Sequence, residues 1–260
     1  YDSHEYFTGA PELAARPRVR AVWHALERWL LPRTRHRITV NPAVAQRYAQ
    51  EYGLHFHVIY NWPLRQPPAT APKPSPPVVL YQGMLLKGRG LETLLRAWPL
   101  LTTPAQLWLV GDGYHRPALE ALVRTLPPHP NPIRFVGYVP LDELARYTAQ
   151  AAVGLSLEDP HSANNLLSTP NKVFDYLQAG VPVVATDRPA LRPLTDQYTI
   201  GRILPELTEA AVAQALTELL PPSPVHAELA PHLAAAAEAF TWEHQTPALA
   251  QVYRAALGTP

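Results

Sequence analysis

The chain of 260 residues contains no cysteine, which excludes disulfides and cysteine-ligated metal centres. One methionine stands against thirty-one prolines, a bias that heat adaptation and genome composition explain equally well. No apolar run approaches the roughly 18 residues of a membrane span, and no signal-peptide pattern is read at Tyr1, so a cytoplasmic location is the default expectation. Charge is scarce and balanced. Charged residues make up 17% and the net charge is +1, without the basic excess of a nucleic-acid-binding chain. No His-Glu-x-x-His or Asp-x-Asp element occurs, so no motif argues for a catalytic metal. No Gly-x-Ser-x-Gly elbow occurs either, which leaves a serine-triad hydrolase without support. The opening Tyr1-Asp2-Ser3-His4-Glu5 lacks an initiator methionine and reads as the interior of a longer chain.

What the chain does have is apolar residues, 47% of the total, enough for a substantial core. Residues 10–37 read as helical and basic, with Arg16, Arg18, Arg20, Arg28, Arg33, Arg35 and Arg37 around Val22, Trp23, Leu26, Trp29, Leu30 and Leu31. Such a segment is a solvated face or a contact with an anionic membrane surface. A strand at 38–40, a helix opened by Asn41-Pro42 and closed by Gly53, and a strand at 57–60 follow. Pro67, Pro68, Pro72, Pro74, Pro76 and Pro77 then mark a semi-rigid linker. From Val78 onward short apolar strands alternate with helices, which predicts a parallel sheet covered on both faces. The expected divisions are a unit at 1–63, a linker at 64–77, a Rossmann-like domain at 78–225 and C-terminal helices at 226–260.

Three segments carry chemistry. Gln82-Gly83-Met84-Leu85-Leu86-Lys87-Gly88-Arg89-Gly90 places three glycines and two cations between a strand and a helix, either a phosphate cradle or a flexible turn with solvated charges. Gly111-Asp112-Gly113 is a weaker copy that lacks the third glycine of the dinucleotide fingerprint. Ser168-Thr169-Pro170-Asn171-Lys172-Val173-Phe174-Asp175 reads as a helix start, with Ser168 or Thr169 as N-cap, Pro170 in the first turn and Gly180 just past the end. Lys172 lies where the helix dipole disfavours a cation, and a bound anion would remove that conflict. Lys172 on a diphosphate with Asp175 on ribose hydroxyls is one reading. A surface pair contributing about 0.2–0.5 kcal/mol is the other.

The ordered set Tyr81-Gln82-Gly83, Arg89-Gly90-Leu91-Glu92, Val110-Gly111-Asp112-Gly113, Phe135-Val136-Gly137-Tyr138 and Pro170-Asn171-Lys172-Val173-Phe174-Asp175-Tyr176, with Ala179-Gly180-Val181-Pro182 behind it, resembles the glycosyltransferase family 4 enzymes of GT-B fold. The resemblance implies an α/β, GT-B-type fold: a Rossmann-like parallel-sheet donor domain after a partial N-terminal acceptor domain whose first strands are absent. It implies retaining, metal-independent transfer from a UDP- or GDP-sugar to a glycan or lipid-linked acceptor, with no cofactor. By that analogy Arg89 and Lys172 hold the diphosphate, and His4 lies near the transferred sugar. Gly83 and Gly113 let backbone approach the ligand, and Asn171 belongs to the same donor site. Val136 and Tyr138 face the base, and Asp175 binds ribose. The sequence departs from the family at Met84, which leaves one phosphate cation to Lys87. It departs again at Leu167, where the family has its first glutamate. Glu158, in the same loop, is the candidate sugar contact.

Overall fold

The computed structural model describes residues 1–10, 13, 16–66, 71–159 and 163–258. Residues 11, 12, 14 and 15 of the expected basic helix, and Pro67 and Pro68 of the expected linker, lie outside the described residues. The first unit is a three-stranded parallel sheet in which β2 (Ile38–Thr39) pairs with both β1 (Asp2–Ser3) and β3 (His57–Val58). Helices α1 (Pro17–Leu30) and α2 (Pro42–Tyr52) join these strands. Asn41 caps α2, its side chain accepting from the Val44 N–H at 2.9 Å. Tyr6, Leu31, Val44, Tyr48 and Phe56 form a small separate core.

The second unit is a six-stranded sheet, parallel throughout, in the order β6-β5-β4-β7-β8-β9. The strands are β4 (Val78–Gln82), β5 (Gln106–Val110), β6 (Ile133–Gly137), β7 (Ala151–Ser156), β8 (Val183–Thr186) and β9 (Gly201–Leu204). Every residue of β4, β7 and β8 is buried, as their near-continuous apolar sequences require of strands covered on both faces. The covering helices are α3 (Leu91–Ala97), α4 (Arg116–Thr125), α5 (Leu141–Gln150), α6 (Asn171–Gln178) and α7 (Glu209–Leu219), followed by α8 (Val225–Ala239) and α9 (Thr246–Leu257).

Two expectations change. Pro170 occupies the N-cap position, and helix α6 starts at Asn171 without a side-chain cap. The hydroxyls expected to cap it donate elsewhere, Ser168 to the Asn165 carbonyl and Thr169 to the Ala190 carbonyl. The sixth strand, β9, lies in a segment not expected to be extended. The C-terminal stretch holds two helices, separated at Phe240–Gln245. Gly180, at φ +64°, ends α6 as expected.

Candidate active site

The sheet order fixes where a ligand would sit. The chain builds β4, β5 and β6 outward in one direction, then returns to lay β7 on the other side of β4. Outside the carboxyl ends of β4 and β7 lies the switch point of the fold, the usual crevice of such sheets. Gln82 ends β4 and Ser156 ends β7.

The loop after β4 is fixed along its length. Gly83 N–H donates to the Val110 carbonyl and Leu85 N–H to the Asp112 carbonyl, each at 2.9 Å, while Asp159 N–H donates to the Gly88 carbonyl at 2.8 Å. Gly90 caps α3 at φ +69°, and a Cβ there would stand 2.0 Å from the Leu157 carbonyl oxygen. Only glycine fits. The flexible-turn alternative does not describe this loop. Arg89 is carried at its inner end, with Lys87 exposed beside it.

Beyond β7, Glu158 turns inward and is 1% exposed. Its Oε2 accepts from Ser156 Oγ at 2.8 Å and from Arg188 Nη2 at 2.7 Å. Its Oε1 accepts from Lys172 Nζ at 2.8 Å and lies 3.6 Å from Arg89 Nη1. Burial pushes the Glu158 pKa up. The charges of Lys172 and Arg188 and the hydrogen bonds from Lys172 and Ser156 outweigh that and hold it well below the usual carboxylate range. Arg188, itself buried, also donates to Thr186 Oγ1 at 2.8 Å, and its Nη1 is left without a partner. The oxygens of Glu158, the candidate sugar contact, are turned to the protein cations Arg89, Lys172 and Arg188.

Lys172 is the second residue of α6. Its ammonium lies 4.2 Å from the centroid of the Tyr81 ring and beside Gly83. In its place at the start of the helix the ammonium is paired from inside with Glu158. An ammonium has three donors, and Glu158 takes one. Helix α6 is held to β4 by the buried Tyr176 hydroxyl, which accepts from Gln82 N–H at 3.2 Å and donates to the Leu80 carbonyl at 3.1 Å.

Asp175 lies one turn further along. Gln82 Nε2 donates to its Oδ2 at 2.8 Å, and Thr148 Oγ1 in turn donates to Gln82 Oε1 at 2.8 Å. Burial pushes the Asp175 carboxyl up to about 6, against the opposing Gln82 hydrogen bond and Lys172 charge. Asp175 borders a cavity of about 320 Å³ lined also by Gln82, Thr148, Asp142, Leu144 and Gln178.

The fold thus gathers Gly83, Arg89, Glu158 and Lys172, and links them through Gln82 to Asp175. The remaining candidates belong to other loops. Val136 is half-buried on the outermost strand, and Tyr138 beyond it is exposed. Asn171 Oδ1 accepts from Asn61 Nδ2 at 3.3 Å, a tie to the first unit. His4 is exposed past the end of β1 and pairs with Asp2 Oδ2 at 3.3 Å. A Cβ on Gly113 would lie 2.4 Å from the Leu85 carbonyl oxygen, so the packing of the two loops requires glycine here. Sequence reasoning missed Gln82, Ser156 and Arg188. All three follow from asking which polar residues end or follow neighbouring strands of one sheet. Among the described residues no group of three or more His, Cys, Asp or Glu could hold a metal ion.

Two parallel sheets flanked by helices, with cations gathered at the switch point of the larger one, define a protein of the GT-B type. The family profile described as "Glycosyl transferases group 1" matches residues 76–221, and the chain belongs to that family. Among solved structures it is similar to the sucrose-phosphate synthase of Thermosynechococcus elongatus, with TM-score 0.77 and 22% identity over 99% of this chain and 67% of that one. It is similar to Anabaena HepE, solved with UDP and glucose, with TM-score 0.76 and 16% identity over 98% and 71%. A glycosyltransferase from Rickettsia africae gives TM-score 0.73 and 14% identity over 91% and 67%. No curated protein matches the chain in sequence.

Proposed function

We propose that the protein is a glycosyltransferase of family 4 that uses a nucleoside-diphosphate sugar with retention and without a metal. The observation that carries this reading is the meeting of Arg89 and Lys172 at one buried carboxylate oxygen, Glu158 Oε1, at the switch point of the sheet. Glu158 aligns the two cations, and Arg188 holds Glu158 from behind. The unspent donors of Arg89 and Lys172 bind the donor diphosphate, with Lys87 as the second loop cation and Gly83 leaving room for backbone approach. Asp175 accepts the ribose hydroxyls at the mouth of its cavity, and Asn171 completes the helix terminus beneath the phosphates. Backbone at Val136 and Tyr138 faces the base. His4, on the opposing unit, reaches the transferred sugar.

In the reaction the acceptor oxygen bonds to the anomeric carbon as the bond from that carbon to the diphosphate oxygen breaks. The bonding electrons leave with the nucleoside diphosphate, and the acceptor proton passes to a phosphate oxygen of the departing group. Arg89 and Lys172 stabilise the charge that builds there. The HepE structure contains UDP and glucose, which favours UDP over GDP as the first donor to test.

The test is thermal stabilisation by UDP, GDP, ADP and TDP. A nucleotide at 100 times its dissociation constant contributes about 2.7 kcal/mol. One of the four is expected to raise the melting temperature, with the rise lost in Lys172→Ala. If none does, the donor-site reading fails. Release of free sugar from the corresponding nucleotide sugar then separates an enzyme from a binding module.

A further inference from the structure

Helix α1 is turned inside out. The side facing the protein is polar: Glu27 is buried and accepts from the Tyr52 hydroxyl at 2.6 Å, and His24 Nδ1 pairs with Glu51 Oε1 at 3.1 Å. The apolar residues Val19, Val22, Trp23, Leu26, Trp29 and Leu30 are exposed instead, Val22 and Trp29 by more than half. On a helical wheel these six occupy one continuous stripe about 120° wide. A helix so oriented leaves a hydrophobic surface that water does not stabilise.

Charge decides what covers it. In residues 16–37 the one acidic side chain is Glu27, and it is buried. Arg16, Arg18, Arg20, Arg28, Arg33 and Arg35 are exposed. The Arg33 guanidinium lies 4.7 Å from the Trp29 ring centroid, a cation stacked on an exposed aromatic. A second copy of the chain would bring like charges together around the same stripe. An anionic lipid surface answers both features at once, taking the tryptophans at headgroup depth and the arginines among the lipid phosphates.

We propose that helix Pro17–Leu30 docks flat on an anionic membrane surface, with its Val22–Trp29 stripe in the interface and the flanking arginines on the headgroups. This docking is independent of the donor site, so its failure leaves the glycosyltransferase reading untouched. No helix among the described residues is long and apolar enough to cross a membrane, which is consistent with surface attachment.

The experiment is flotation of the full chain with phosphatidylcholine vesicles, with and without phosphatidylglycerol, at low and high salt. Binding is expected with phosphatidylglycerol only and should weaken steeply with salt. Arg18→Glu with Arg28→Glu should weaken it about tenfold or more. Trp29→Ser should weaken it comparably and remove part of the blue shift of tryptophan emission on binding. All three side chains are exposed, so an unchanged circular dichroism spectrum and melting point keep the variants interpretable. Three outcomes overturn the proposal: no binding to either vesicle, binding indifferent to lipid charge and to both variants, or a concentration-dependent dimer abolished by Trp29→Ser without vesicle binding, which assigns the stripe to a second copy.

Discussion

Glu158 and Asp175 are carboxylates of one site that burial and charge drive in opposite directions, and their pH signatures separate them. Asp175 has a folded pKa raised to about 6, above an unfolded value of about 3.9. The native state therefore binds the extra proton between those values, and the Asp175 contribution to stability falls as pH rises through that window. Nucleotide binding should run the other way if, as proposed above, the ionised carboxylate accepts the ribose hydroxyls. Affinity measured by calorimetry should be level above pH 7 and about tenfold weaker one unit below the pKa. Asp175→Asn should flatten that slope, and a slope unchanged in the variant would place the titration elsewhere. Glu158 has a folded pKa held below its unfolded value of about 4.3. Its contribution is fully present above that value and is lost as pH falls. Glu158→Gln leaves the buried Arg188, and Lys172 beside it, without their counter-charge, which costs about 3–5 kcal/mol. Urea unfolding at neutral pH is the measurement, and a loss under about 1 kcal/mol would show that the cations do not depend on this carboxylate.

At the scale of elements, the site is a property of loops that the strands aim. Strands β4, β5, β7 and β8 were legible because a strand buried on both faces needs a short unbroken apolar run, and the punctuation of α6 was legible because Pro170 and Gly180 bracket it. The last strand was not, since Gly201-Arg202-Ile203-Leu204 carries a charge whose acceptable position at the sheet edge depends on Glu218 of α7, 2.5 Å from Arg202 Nε. The same reasoning explains the site. Arg89, Lys172 and Asp175 could be found from their places after strands and in a first turn. Which way Glu158 faces could not, because Arg188 reaches it only through the pairing of β7 with β8. The Gly90 loop offers the test at this scale. Gly90→Ala puts a methyl against the Leu157 carbonyl and forces a positive φ on an L-residue, with a cost of about 1–3 kcal/mol. Since the displaced segment carries Arg89, nucleotide affinity should fall with stability. A thermal-shift titration in which Gly90→Ala loses stability but binds as tightly as the parent would detach the loop from the donor site.

Across the whole molecule, the two units are fastened by hydrogen bonds and ring contacts at several places. The buried N-cap Asn41 also donates from Nδ2 to the Leu167 carbonyl at 2.7 Å, so one residue caps a helix of the first unit and grips the end of the short helix Ala163–Leu167 of the second. Trp62, just before the proline-rich segment, stacks on Tyr60 at 4.4 Å between centroids and packs edge-on against Phe240 at 5.0 Å. The C-terminal segment then crosses back: Trp242 N–H donates to the Pro63 carbonyl at 2.8 Å, Tyr60 N–H to Gln245 Oε1 at 3.0 Å, and Arg65 N–H to Glu243. These bonds hold down the connection between the units and touch none of Arg89, Glu158, Lys172 or Asp175. Deleting residues 241–260 should therefore lower the melting temperature and open the 64–77 connection to limited proteolysis, while nucleotide affinity stays within about twofold, as distant uncoupled sites require. Gln245→Ala, which removes only the acceptor for Tyr60, should reproduce the proteolysis at smaller amplitude without removing a helix. A deletion that abolished nucleotide binding while leaving the sheet folded by circular dichroism would make the C-terminal crossing part of the site itself. A connection that stayed resistant to protease in both variants would mean that Asn41 and Trp62 alone hold the units together.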